Sequence, residues 1–211
     1  MVTKFLQSWR KRLRGVARAT GAPDARTEAK GHGADSTPID AAAAASPPAG
    51  AHDLLCVQEV NVADFFVGEL FQRKFHAPPP DFPIHYVSFY RAAPSDIRVI
   101  GYVHYSPFED SYLCGGLVID DRLYRQMPAS HRKAIRRDGG IAEHLLRESF
   151  ARLAHAAAIW GYVGDTRAER VDTRVGFRRT EHPYLMVCWM RELSDADKGA
   201  RMSRVVALGP F

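Results

Sequence analysis

Arg136–Arg137–Asp138–Gly139–Gly140–Ile141–Ala142 stands between a strand-like run and an amphipathic helix, and its reading decides the fold. The helix is marked by Ile141, Leu145, Leu146, Phe150, Leu153 and Ala157, which recur at helical spacing. A glycine-rich turn at a helix N-terminus exposes unpaired backbone N–H groups, and these, with the helix dipole, bind phosphate or pyrophosphate. Gly140 lets the backbone approach a ligand, Ala142 keeps the first turn uncrowded, and Arg136 or Arg137 can meet an anion with a charged fork. A glycine pair before a helix also serves as a plain flexible entry, so the surrounding order of elements has to decide between the two uses.

Upstream, Leu54 to Val60 reads as a strand, and Val62 to Phe75 as a helix with Phe65, Phe66, Leu70 and Phe71 inward. The four prolines between Ala77 and Pro83 force a loop. Ile84 to Arg91, Ile97 to Tyr105 and Ser111 to Ile119 follow as an antiparallel meander, with turns at Pro94–Ser95–Asp96 and Pro107 to Asp110. A charged helical insertion spans Asp121 to Ile135. Downstream of the glycine pair come the helix, a strand at Ala158 to Val163, a helix at Asp165 to Val175 and a strand at Tyr184 to Met190. This order predicts an α/β (α+β) domain, a mixed and mostly antiparallel sheet flanked by helices.

With that order in hand, the glycine passage resembles the pyrophosphate loop of the GNAT superfamily of acyl-CoA-dependent N-acetyltransferases. That loop has Arg or Gln, two residues, Gly, one residue, then Gly or Ala, and Arg137, Gly140 and Ala142 fall at those places. Asp165 to Phe177 resembles the family's late helix, with Ala168, Gly176 and Phe177 at the usual positions. The resemblance covers about 140 of the 211 residues. It implies a splayed pair of central strands, a pantetheine arm inserted between them, and backbone contacts from Leu117, Val118 and Ile119. Gly115–Gly116 could host the bulge that opens such a gap, or be a simple strand distortion.

The implied reaction is direct transfer of an acyl group, acetyl by default, from acyl-CoA to an amine, aided by a base and an acid. Glu109 and Asp110 are the base candidates at the start of the central strand, although acids in a surface turn are also simply solvated. Asp172 stands where relatives carry a proton-donating tyrosine, and it can serve only if burial raises its pKa. Tyr184 is the substitute donor, and water a third. Phe65, Phe66, Phe89, Tyr90 and Tyr105 fit an acceptor pocket or, more simply, the core.

The whole chain carries a formal charge of +5, but residues 1–18 hold six basic residues and no acid, which leaves 23 basic against 24 acidic elsewhere. Residues 1–18 form a basic amphipathic segment suited to a membrane surface, a nucleic acid or transit into an organelle, or to no fixed partner. Residues 19–51 read as a disordered linker of Ala, Gly, Pro and Ser, residues 52–193 as the folded domain, and residues 194–211 as a mobile end. No stretch reaches the roughly 20 apolar residues a membrane span needs. Cys56, Cys114 and Cys188 read as buried thiols in a reducing, cytoplasmic setting, and the nine histidines show no metal-ligand spacing. Two readings of other classes stay open: a CoA-binding GNAT-like module without turnover, and a membrane- or nucleic-acid-associated protein driven by residues 1–18.

Overall fold

The computed structural model describes residues 50–81 and 83–211; the basic segment and all but the last two residues of the expected linker lie outside them. Alternating side chains build β1 (Leu55–Val60), β2 (Ile84–Ala93), β3 (Asp96–Phe108) and β4 (Ser111–Ile119) as successive antiparallel neighbours, with short turns joining β2, β3 and β4 and a helix and the proline loop lying between β1 and β2. After a helical crossover, β5 (Ala158–Tyr162) lies parallel to β4, and β7 (Leu185–Trp189) pairs antiparallel with β5. A two-residue β6 (Arg178–Arg179), which the sequence pattern did not reveal, completes a seven-stranded sheet of order β1-β2-β3-β4-β5-β7-β6.

Period-2 alternation sends side chains to two faces. On one face α5 (Ile141–Arg152) buries Leu145, Leu146 and Phe150 against Tyr86, Val103, Tyr105, Ile159 and Met186, beside α6 (Thr166–Arg174). On the other face α2 (Ala63–Phe75) buries Ala63, Val67, Leu70 and Phe71 against Val87, Tyr102 and Val118. The expected inward set for α2 is therefore corrected. Positions 63, 67, 70 and 71 form the i, i+4, i+7, i+8 stripe, which turns Phe65 outward at 81% exposure and leaves Phe66 half-buried. The charged insertion is helical as expected, as α3 (Asp121–Gln126) and α4 (Ala129–Arg137).

Two boundary expectations are also corrected. Gly50 and Ala51 are buried rather than part of a linker, and Ala51 opens the short α1 (Ala51–Leu54). Of the three cysteines, all free, only Cys188 is buried outright.

Residues from Ser194 onward form α7 (Asp195–Leu208) rather than a mobile end. Ser194 caps it by accepting from the Asp197 N–H at 3.1 Å, and Asp195 and Asp197 complement the dipole in its first turn. Val205 then covers Leu113, Trp160, Leu185 and Val187 on the sheet. Arg201 and Arg204 bind Asp110 and Glu109 of the β3–β4 turn at 2.6 and 2.7 Å.

If α7 belongs to the core, Val205→Ala should lower unfolding stability by about 2 kcal/mol, counting roughly 0.8 kcal/mol per lost methylene plus a cavity cost. Urea denaturation of the full chain checks this. An unchanged midpoint would return residues 194–211 to the status of a loose end.

Candidate active site at the splayed strand pair

The site begins with a failure of pairing. The β4–β5 ladder contains only Tyr112–Ile159, Leu113–Trp160 and Cys114–Gly161. Beyond Cys114, β4 continues to Ile119 with β3 on one side and no strand on the other. The cause lies in the glycine pair. Gly116 sits at φ +62°, and the β3–β4 register slips there, Tyr102 facing Val118 while His104 faces Gly115. That is a bulge, which bends its strand and turns it from its neighbour. Leu117, Val118 and Ile119 thus line an open backbone edge where the resemblance asked for one.

The open edge leads to the glycine loop. Gly139 and Gly140 both hold φ near +90°, at +93° and +95°, which residues with a Cβ rarely adopt. Their own N–H groups are spent closing α4, on Arg136 O at 3.3 Å and Ile135 O at 2.9 Å. The donors left for a ligand are the first-turn amides of α5 at Ile141, Ala142 and Glu143, which have no carbonyl one turn earlier in the helix. A Cβ built on Gly140 would meet nothing within 4 Å, so this side of the loop is open to an approaching anion.

Not every residue of the expected loop set points at that opening. Asp138 turns away from it, accepting the Ala51 N–H at 2.7 Å and Arg137 Nε at 3.1 Å, and both interactions hold its pKa below the usual carboxylate value. Its role is to fasten the loop to α1. Arg136 is exposed. Glu143, which sequence reasoning did not single out, is buried under the loop, and Arg147 and Arg174 hold it at 2.8 and 2.7 Å. Burial pushes its pKa up, but the two guanidinium groups outweigh burial and keep it lowered. A side chain at position 139 would collide with that carboxylate at 2.5 Å, so Gly139 serves close packing while Gly140 serves access.

Asp172, on α6, sits at the base of the splay. At the start of that helix Asp165 is the cap, accepting from Arg167 N and Ala168 N, and Phe177 N returns to Asp172 O at 3.0 Å, which pins the last turn. Only 6% of Asp172 is exposed, and among the described residues its carboxyl has no hydrogen-bonding side chain. Burial, with the charge of Glu169 adding to it, pushes its pKa up to about 7. Its charge in turn raises the pKa of the Cys114 thiol, already raised by burial, which places Asp172 close to the last β4 residue that pairs with β5. Behind Cys114, Tyr105 Oη shares a 2.6 Å hydrogen bond with Ser149 Oγ of α5.

The other proposed acid–base residues are not brought to this point. Glu109, in the left-handed region at φ +54°, belongs to the β3–β4 turn, and Arg204 holds its carboxylate at 2.7 Å. Asp110 is likewise engaged by Arg201 and Arg191, and Arg201 is the main cause of its lowered pKa. The paired stretch Tyr112–Cys114 separates both acids from the open edge. Tyr184 is half-exposed, with its ring 6.2 Å from that of Tyr162, which in turn meets Phe211 beyond α7. What sequence reasoning missed lies on the α2 face of the bulge: the buried ring of His104, 2.5 Å and 2.9 Å from where a Cβ on Gly116 or Gly115 would stand. The signal available was that each glycine faces a histidine-bearing stretch of β3 in the meander.

No protein-family model matches the chain, and no curated protein matches it in sequence. Among solved structures it is similar to the ribosomal-protein-S18-alanine N-acetyltransferase from Escherichia coli, at 12% identity and a TM-score of 0.46, over 67% of this chain and 97% of that one. It is also similar to a GNAT family acetyltransferase from Brucella melitensis in complex with acetyl-CoA, at 16% identity and 0.41, over 66% and 90%. A third is the PaiA N-acetyltransferase from Thermoplasma acidophilum in complex with coenzyme A, at 11% identity and 0.42, over 64% and 98%. Identities and scores of this size say nothing of activity, and the case for the fold stands on strand order and splay. The parallel β4–β5 pair, the bulge that parts it and the glycine-led helix between them make this a GNAT-like fold.

Proposed function

We propose that this chain is an N-acyltransferase that passes an acyl group, acetyl by default, directly from acyl-CoA to an amine. One observation carries the reading: the unpaired edge of β4 runs without interruption from the open N-terminus of α5 to the base of the splay beside Asp172. The first-turn amides of α5 would receive the pyrophosphate, and the backbone of Leu117–Ile119 would hold the pantetheine arm as a neighbouring strand would.

The chemistry at the base of the splay follows from charge. The amine attacks the thioester carbonyl, the C–N bond forms, the C–S bond breaks, and the thiolate needs a proton. A carboxyl with a pKa near 7 is protonated in a large share of molecules at neutral pH and can donate it. Tuning by burial supports Asp172 as the donor in place of the missing tyrosine, and so supports turnover over a module that only binds. The acceptor is an amine of a class the site does not name.

Two outcomes test the reading. Acetyl-CoA at 100 times its Kd should stabilise the full chain by about 2.7 kcal/mol, read as a thermal shift. Ala142→Glu should abolish that shift while folding normally, because a carboxylate in a first helical turn suits the dipole but repels a phosphate. An equal shift in the variant, or none in the wild type, would dismiss the site.

The second concerns Asp172 and pH. Its folded pKa lies above its unfolded one, so the folded chain holds the proton more tightly, and stability falls as pH rises between the two values. The cost is absent below about pH 4 and reaches about 4 kcal/mol above pH 7. Asp172→Asn should therefore gain stability over wild type progressively from pH 4 to 8 in urea titrations. It should also release CoA about 100-fold more slowly at unchanged acetyl-CoA binding. A pH-independent difference would mean that the carboxyl is ionised throughout.

A further inference from the structure

The base of the splay leaves the acceptor unnamed, but the opposite face of the sheet narrows it. Directly opposed strand residues share a face, so Tyr102, Leu113, Trp160 and Tyr162 lie on the side covered by α2 and α7, while Cys114 and Ile159 lie on the side of α5. A CoA whose pyrophosphate sits at the N-terminus of α5 enters from the α5 side. The α2–α7 side is left to the acceptor.

Charge is withdrawn from that side at both ends of β4. Arg73 and Lys74 of α2 are bound to Asp120 and Asp121 past its C-terminal end, and Arg201 and Arg204 of α7 to Asp110 and Glu109 before its start. Between these ends β3 and β4 present Ser106, Leu113 and the glycine pair, and burial lowers the pKa of His104 to about 3, which keeps its ring neutral.

Aromatic rings gather where the strands part. Tyr162 is the first β5 residue past the last pair with β4, Cys114–Gly161. Its ring stands 6.2 Å from that of Tyr184 and 5.9 Å from that of Phe211, which follows α7. Tyr162 and Phe211 are half-buried and Tyr184 is 51% exposed, so ring surface meets solvent beside the gap. Tyr184 also holds φ +67°, a left-handed conformation that a tyrosine rarely adopts and the kind of strain that ligand sites retain. In the same turn Glu181 lies 3.4 Å from His182, with its side chain 83% exposed.

Resting on the acyl-transfer reading, we infer that Tyr162, Tyr184 and Phe211 form an aromatic seat that selects an acceptor amine borne on an apolar or aromatic body over one carrying a second charge. The body lies on the half-open rings, and the amine reaches past Tyr162 to the thioester. Apolar surface gains by leaving water there. A second charge loses hydration without meeting a counter-ion, and the ring faces return only part of that loss to a cation.

The test uses the full chain and acetyl-CoA, with phenethylamine and 1,4-diaminobutane as probe amines. Phenethylamine should have the higher kcat/KM. Tyr184→Ala should lower that value about 10-fold, chiefly through KM, the scale of one aromatic contact. The acetyl-CoA thermal shift and the rate with 1,4-diaminobutane should stay at wild-type level, Tyr184→Phe should keep the preference, and Phe211→Ala should weaken it. A preference for the diamine, or an equal loss on both amines in Tyr184→Ala, would refute the seat alone. Failure of the wild type to bind acetyl-CoA would remove the acyl-transfer reading with it. Saturation-transfer NMR of phenethylamine with the CoA-bound chain needs no turnover. Transfer to its ring should be present in the wild type and lost in Tyr184→Ala, and its absence in the wild type would overturn the proposal.

Discussion

Everything at the candidate site depends on β4 keeping a partner on one side only. Five backbone positions of an interior strand are left half-paired from Gly115 to Ile119, and unpaired buried amides and carbonyls are costly. The fold tolerates this because the bulge at Gly116 bends the strand outward and leaves that edge accessible. An open edge inside a sheet is an unusual liability, and it is the kind of strain a functional site retains. The parallel pairing of Tyr112–Cys114 with β5 keeps the opening from spreading.

The rest of the molecule holds that opening in shape. α5 is anchored through Leu145 and Leu146 beneath the sheet, so its N-terminus points from a rigid body. The loop ahead of it is tied by Asp138 to Ala51, 87 positions earlier, and underpinned by Glu143 with its two arginines. At the opposite end, α7 clamps the β3–β4 turn through Arg201 and Arg204. The acids of that turn are thereby held in ion pairs, and among the described residues the carboxyl whose pKa burial raises is that of Asp172 on α6.

Strand order and the main helices were legible because their apolar periodicity is strong: the stripe of α5 and the alternation of β2–β4 are visible in single residues. The glycine loop was legible because φ values near +90° demand glycine. Less local features were not. α7 carries few large apolar residues, and its burial rests on Val205 meeting strands far away in sequence. The face of α2 is less legible because Phe65 and Phe66 are more apolar than Ala63 and Val67, whereas a helix buries whatever its 100° step aligns. Glu109 and Asp110 read as base candidates because their arginine partners, Arg204 and Arg201, stand 95 and 91 positions away and no local pattern announces them. The pairing of His85 with His104 is a matter of register, which the separate strands do not announce.

The most direct measurement is hydrogen–deuterium exchange of the full chain with and without CoA. The account predicts new protection confined to the amides of Leu117–Ile119 and of Ile141–Glu143, two segments that are apart in sequence and joined by the open edge. Protection elsewhere, or at one segment without the other, would contradict the claim that the parted strands and the glycine-led helix form a single CoA site.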